Sequence, residues 1–312
     1  SGSFELPLKD YANITIDWGD GGSTSTHTDG AFPTHTYSSA GTYTITVTVN
    51  DAAKDIGEMY MNGSHASRTL IRTITNWGEG KWETFDAAFK GATSLTIPAT
   101  DEPDLTRSGI SMSKAFNSCT SLVGNTLNDW NTATVTNMEE MFKGATAFNG
   151  NITSWNTALV TDMRYMFNGA TAFNKEINTS GSSWNTAAVT TMDNMFYGAT
   201  SFNGNISLWD TAAVTDMANM FKLATTFDQN ITSWNTAAVT HMGHMFKSAT
   251  SFNQPLTHSG NSWNLENVID MADMFNGATG FSIANYNIFL YSQANNSGIN
   301  SNITITVSSK YS

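Results

Sequence analysis

The chain has 312 residues, a formal net charge of −12, 13% charged residues and one cysteine. A lone cysteine rules out a disulfide framework, and an acidic chain without a basic stretch argues against nucleic acid and anionic membrane surfaces as partners. No signal peptide, anchor or membrane-spanning run is read, so export and attachment are expected to come from sequence outside this chain.

The first predicted elements are strands. Ile14-Thr-Ile16-Asp17-Trp18 runs into an Asp20-Gly21 turn, His35-Thr-Tyr37 comes next, and Tyr43 to Val49 alternates strictly between apolar and polar residues. Trp18-Gly-Asp-Gly21, His35-Thr-Tyr37 and Gly41-Thr-Tyr43 resemble the marks of a PKD-type β-sandwich domain. Residues 1–55 are therefore read as a minimal PKD-like β segment that caps the first turn of a repeat array beginning at residue 56. Asp17 and Asp20 have the chemistry to bind calcium, but turn formation is the better explanation, and no cofactor is expected.

From Trp130 to Phe281 one pattern recurs six times, about Trp-Asn-Thr-x-x-Val-Thr-x-Met-x-x-Met-Phe-x-Gly-Ala-Thr-x-Phe-Asn. Its tryptophans, Trp130, Trp155, Trp184, Trp209, Trp234 and Trp263, are spaced 25, 29, 25, 25 and 29 residues apart. The longer units carry extra Gly-containing polar loops at Asn178–Ser183 and Thr257–Ser262. Two degenerate units precede these around Phe85-Ala88-Phe89 and Met112-Ala115-Phe116, giving about eight turns over residues 56–282.

In Val135, Met138, Met141 and Phe142 the apolar spacing is i, i+3, i+6 and i+7, which predicts a short helix capped by Thr136 or Asn137 and stopped at Gly144. Phe148 to Trp155 reads as a short strand or extended run. One such strand and one such helix per 25 to 29 residues predicts an α+β repeat solenoid of the leucine-rich-repeat kind. The strict register of Trp, Met and Phe marks them as core, and Cys119, in a small-residue column, is expected to be an inert buried thiol.

These units resemble the bacterial surface-protein repeat of the DUF285 family, the Mycoplasma or Listeria lipoprotein type. They are relatives of the BspA-like leucine-rich repeats, whose Ala-Phe-x-x-Cys-x-x-Leu segment matches Ala115-Phe116 to Cys119 and Leu122. The tail at 283–312, with Ala284 to Leu290 and Ile303 to Val307, resembles the closing segment of such arrays. The resemblance implies an extracellular or cell-surface, adhesin-type protein.

Several polar ranks remain. Asn149, Asn174, Asn203 and Asn253, with Asp228 as stand-in, and Asn131, Asn156, Asn185, Asn235 and Asn264, with Asp210, are expected to satisfy backbone groups of adjacent turns. His241 and His244 read as part of a solvated helix face rather than a metal site, and Asn151, Asn205 and Asn230 open chance glycosylation motifs. No Ser/His/Asp grouping repeats, no Gly-rich loop precedes a helix in a phosphate-binding pattern, and Cys119 has no His at a motif-like spacing. Paired carboxylates from distant turns stay open to sequence, but a repetitive chain is a poor enzyme candidate and no enzyme is expected.

Variation concentrates at Glu140, Arg164, Tyr165, Asn219 and His244 on the predicted helices and at Lys175 after the Phe-Asn step, and these six are the candidate ligand contacts. The leading expectation is a monomeric binding module for a host or neighbouring-cell surface protein or glycan. A passive spacer is the alternative, and adsorption to ice or an ordered polysaccharide through Thr157, Thr186, Thr211 and Thr236 is the third.

Overall fold

The computed structural model describes residues 2–28, 30–61, 65–178, 184–257, 259–260 and 262–294. The N-terminal part is antiparallel β structure. Strand β1 (Gly2–Glu5) pairs with β5 (Thr34–Tyr37), and β3 (Ile14–Asp17) lies between β4 (Ser25–His27) and β6 (Thr46–Val49). Ile14, Ile16, Trp18 and Tyr37 face inward. The Tyr37 hydroxyl donates to the Trp18 carbonyl at 3.0 Å, and the His35 ring stacks on Trp18 at 5.0 Å. The carboxylates of Asp17 and Asp20 accept the N–H groups of Gly19 and Gly22 at 2.9 and 3.0 Å, so both serve the turn.

The pairing then changes sense. Strand β7 (Asp55–Met59) is antiparallel to β2 (Leu8–Lys9) but parallel to β8 (Lys81–Trp82). From there on, parallel contacts join one repeat to the next. They run through β9 (Ile110–Ser111) and β10 (Val135–Asn137), then along Asp162, Thr191, Asp216, His241 and Asp270.

The expected strand and helix per turn do not form. Among the described residues the one α-helix is α1 (Ile283–Ala294), outside the repeats, and the extended residues sit at Val135–Asn137 rather than at Phe148 to Trp155. In place of the predicted helix there is a run of tight turns whose N–H groups alternate in direction. Met141, Lys143 and Ala145 donate three residues back, to Met138, Glu140 and Phe142, at 3.0–3.2 Å. Met138, Glu140, Phe142 and Gly144 instead donate to the next repeat, to the carbonyls of Asp162, Arg164, Met166 and Asn168, at 2.7–3.0 Å.

Backbone angles exclude the helix. Glu140 has φ +54° and Gly144 φ +69°, a left-handed conformation that cannot sit inside a right-handed helix. An isolated two-turn helix would also repay its nucleation poorly, whereas the alternating run gains bonds to its neighbour at every second residue. Successive turns three residues long bring Met138, Met141, Phe142 and Ala145 to the inside, the same spacing that a helix face produces. The α+β, leucine-rich-repeat description is thus replaced by a stack of turns and short parallel β contacts.

The Gly144 rank continues through Gly169, Gly198, Leu223, Ser248 and Gly277, with φ between +60° and +75°. Leu223 is half exposed there and carries a side chain that left-handed backbone disfavours. Leu223→Gly is expected to raise stability by about 1 kcal/mol, read as a higher denaturation midpoint, since the relief of strain exceeds the added freedom of the unfolded chain. A lower midpoint would count against it.

The core is a pair of aromatic columns. Phe89, Phe116, Phe142, Phe167, Phe196, Phe221, Phe246 and Phe275 stack with centroids 5.5–5.8 Å apart. A second column, Phe148 to Phe281, lies beside it with partners 3.8–4.5 Å away. The recurring tryptophans are buried, as expected for core. The indoles of Trp155, Trp209, Trp234 and Trp263 donate to carbonyls of the preceding repeat at 2.7–3.1 Å. Cys119 is buried, its thiol donates to the Phe89 carbonyl at 3.0 Å, and burial pushes its pKa far up. After the last repeat, α1 lays Phe289 edge-on against Phe275 at 5.5 Å, and Gln293 donates to the Trp263 carbonyl at 2.9 Å. The proposed closing residues Ile303 to Val307, and Ser183 and His258 of the two loops, lie outside the described residues.

Candidate functional site

Polar ranks that look alike in sequence do different work. Asn149, Asn174, Asn203, Asp228 and Asn253 form a continuous ladder. Each side-chain Oδ1 accepts the backbone N–H of the corresponding residue in the next repeat, at 2.8–3.0 Å, ending on Ser282. This is the cross-repeat satisfaction expected of them. Asn203→Leu removes the acceptor for both the Asp228 N–H and the Gln229 amide, and should destabilise by about 1 to 3 kcal/mol. An unchanged urea midpoint would sink that assignment.

The second Asn rank behaves otherwise. Asn131, Asn156, Asn185, Asp210, Asn235 and Asn264 accept the N–H two residues ahead in their own repeat at 2.9–3.2 Å, a local Asx turn. The tie between repeats at this bend comes from the adjacent threonines. Thr157, Thr186, Thr211 and Thr236 donate to the carbonyls of Asn185, Asp210, Asn235 and Asn264 at 2.6–2.8 Å and are at most 1% exposed. A rank buried in this way cannot meet ice or any other solid, which removes the third sequence-based expectation.

The turn run carries the unlike side chains. Glu140, Tyr165, Asn219 and His244 fall in one rank with Lys114, Asn194 and Asp273, all at φ +54° to +59°. Arg164 stands in the neighbouring rank with Glu139 and Asp193, so five of the six predicted contacts share one face. Lys175 does not join them, since it comes after the Asn174 step of the ladder and its carbonyl faces Gly204. His241 and His244 occupy different ranks rather than one helix face. The His241 ring contacts the Thr240 hydroxyl at 2.9 Å, and the His244 ring lies 3.7 Å from the Asp273 carboxylate.

The face also holds residues that sequence reasoning passed over. Lys143 reaches Glu140 at 3.0 Å and lies over the Tyr165 ring, 4.6 Å from its centroid. Lys222 lies over Tyr197 at 5.2 Å, and Lys247 pairs with Asp273 at 2.7 Å. The sequence does carry the signal: the position after Met-Phe reads Lys143, Asn168, Tyr197, Lys222, Lys247 and Asn276, as mixed as the ranks of the candidate contacts. Arg164 grips Asp162 through Nε at 3.1 Å and a terminal nitrogen at 2.7 Å, and approaches Glu139 at 3.5 Å. Burial raises the pKa of Asp193, and nearby Asp216 adds to this, against hydrogen bonds from Asn194 and Tyr165. Partly exposed pairs of this kind contribute only a few tenths of a kcal/mol each, so they add little to stability.

Among the described residues, no group of three or more His, Cys, Asp and Glu could hold a metal, and no helix is long and apolar enough to cross a membrane. A cleft of about 460 Å³ lies beside β7 and β8, lined by Ala52, Ala53, Lys54, Glu79, Lys81 and Asp104, with Lys54 and Glu79 already paired.

Fold and face together define a stacked-repeat protein headed by an antiparallel β domain. Residues 83–183, 110–206 and 176–288 match the family described as Mycoplasma protein of unknown function, DUF285, and the chain belongs to that family. Residues 3–57 match the PKD domain. No curated protein and no solved structure matches the chain. The two matches are consistent with a module of a surface protein.

Proposed function

We propose that the chain is a non-enzymatic, extracellular binding module that recognises a protein or glycan on a neighbouring or host cell surface. The observation that carries this reading is the contrast between ranks. The Trp, Met, Phe, Asn and Thr ranks repeat with little change, whereas unlike charged and aromatic groups collect on the turn face around Glu140, Arg164, Tyr165 and His244. The positions after the Phe-Asn step vary as well, but it is the turn face that gathers paired charges and aromatic rings, which a passive spacer does not need. The module acts as a monomer, and neither a metal nor a cofactor enters the proposal.

A glycan-array and whole-cell binding screen with the purified chain, run with calcium and again after chelation, tests this. Saturable binding is expected, reduced roughly tenfold or more by Arg164→Ala or Tyr165→Ala because anchor contacts concentrate in few side chains. Lys175→Ala, off this face, should leave it intact. A folded chain that binds no surface would favour the spacer reading, in which the pairing of Glu140 with Lys143 and of Arg164 with Asp162 is structural only.

A further inference from the structure

At each boundary between complete repeats, four N–H groups of the turn run donate to four carbonyls of the next repeat. Met242, His244, Phe246 and Ser248, for example, donate to Asp270, Ala272, Met274 and Asn276 at 2.8–2.9 Å. The same four positions of the last repeat are Met271, Asp273, Phe275 and Gly277. Among the described residues none of these N–H groups has an acceptor. Helix α1 does not fill that role. Its contacts, Asn285 with Asn253, Gln293 with Trp263 and Phe289 with Phe275, lie over the Asn, Trp and Phe ranks. Among the described residues nothing meets this row of donors on the perimeter, and Ile269, 65% exposed, stands at its start.

We propose that this edge is an interaction site for a polypeptide segment that adopts the turn conformation of a repeat, added in parallel to the turn run of the last repeat. Such a segment would continue an interface the molecule already uses at every preceding repeat, where the same donors, at the same spacing, are met by backbone carbonyls of a turn run. Four donors at alternate residues, beside the one outward carbonyl of Ile269, whose equivalent Thr240 accepts from the next repeat, select a partner that presents backbone acceptors at alternate residues. The excess of donors also disfavours pairing of two identical ends, which would set donor against donor. Ile269 calls for an apolar side chain opposite it at one end of the segment, which gives the partner a register.

The probe is a synthetic peptide with the sequence of residues 237–252, one repeat's turn run, added to the full chain while amide hydrogen exchange is followed residue by residue. In the free protein the amides of Met271, Asp273, Phe275 and Gly277 should exchange at least about a hundredfold faster than those of Met242, His244, Phe246 and Ser248. Saturating peptide should slow the four by roughly tenfold or more. Ile269→Lys, at an exposed position, should weaken peptide binding without moving the melting temperature. Equal protection of both sets in the free protein would mean that another part of the chain already fills the edge, and would overturn the proposal. No protection by the peptide, or equal protection by a scrambled peptide, would overturn it as well.

Discussion

Phe221→Ala should lower the stability of the stack by about 3 to 5 kcal/mol, the range for emptying a fully buried aromatic site. Phe221 has no exposed surface and sits between Phe196 at 5.6 Å and Phe246 at 5.7 Å. Phe227 stacks on it at 3.9 Å, and Trp234 closes the side at 6.1 Å. The surrounding rings are themselves held by their own columns and cannot move inward to fill the space. In a stacked array, stability is close to a sum of repeats and their nearest-neighbour contacts, so the loss weakens both boundaries that Phe221 spans. Urea unfolding monitored by tryptophan fluorescence reads this directly. A loss below about 1 kcal/mol would show that the aromatic columns are not what couples the repeats.

The second large effect comes from a missing side chain. Gly204 is buried, and a Cβ placed on it would overlap the Lys175 carbonyl oxygen while sitting 2.9 Å from the carbonyl carbon and 3.1 Å from the Phe202 ring. Neither neighbour can yield cheaply. The Lys175 backbone is fixed by the Asn174 to Asn203 step of the ladder, and the Phe202 ring is stacked between Phe173 and Phe227. Gly204→Ala is therefore expected to cost about 3 kcal/mol, the upper part of the range for overpacking. Gly150→Ala, which meets the Gly124 backbone in the same way, should behave alike. A denaturation midpoint unchanged in both variants would mean that neighbouring repeats are not in such close contact.

Much of this was legible in the residues. The unvarying offset of Trp, Met and Phe announced buried columns, because a solvent-facing aromatic has no reason to keep register with Met. The Asn149 to Asn253 ladder was legible for the same reason, since Asp was its only substitute. The marks Trp18-Gly-Asp-Gly21 and His35-Thr-Tyr37 pointed to the N-terminal β domain that the family match and the antiparallel pairing both support.

What was not legible is equally specific. A helix and a chain of three-residue turns place the same residues inward, so Met138, Met141 and Phe142 could not distinguish them. The distinguishing feature is the left-handed backbone at the Glu140 rank, and there the residues are Lys, Glu, Tyr, Asn, His and Asp, of which only Asn, His and Asp hint at that conformation. Gly144 was legible as a helix stop when it is one of a rank of left-handed positions. Thr157 and its equivalents read either as an exposed array or as hydrogen-bonding caps of the turn, and only the carbonyls of the next repeat show that their hydroxyls are satisfied inside. For the candidate site, variability picked out Glu140, Arg164, Tyr165, Asn219 and His244, which the structure gathers on the turn run, and Lys175, which the Phe-Asn step carries to another part of the repeat.

The stacking of the repeats rests on the turn run bonding to the next repeat instead of coiling into a helix. Scalar couplings across hydrogen bonds, measured by NMR on isotopically labelled protein, decide it at a single residue. The Phe142 N–H should couple to the Met166 carbonyl, which it meets at 2.9 Å, and the Gly144 N–H to that of Asn168 at 2.7 Å. Coupling of Phe142 to the Met138 carbonyl, four residues back, would restore the helix and contradict the account.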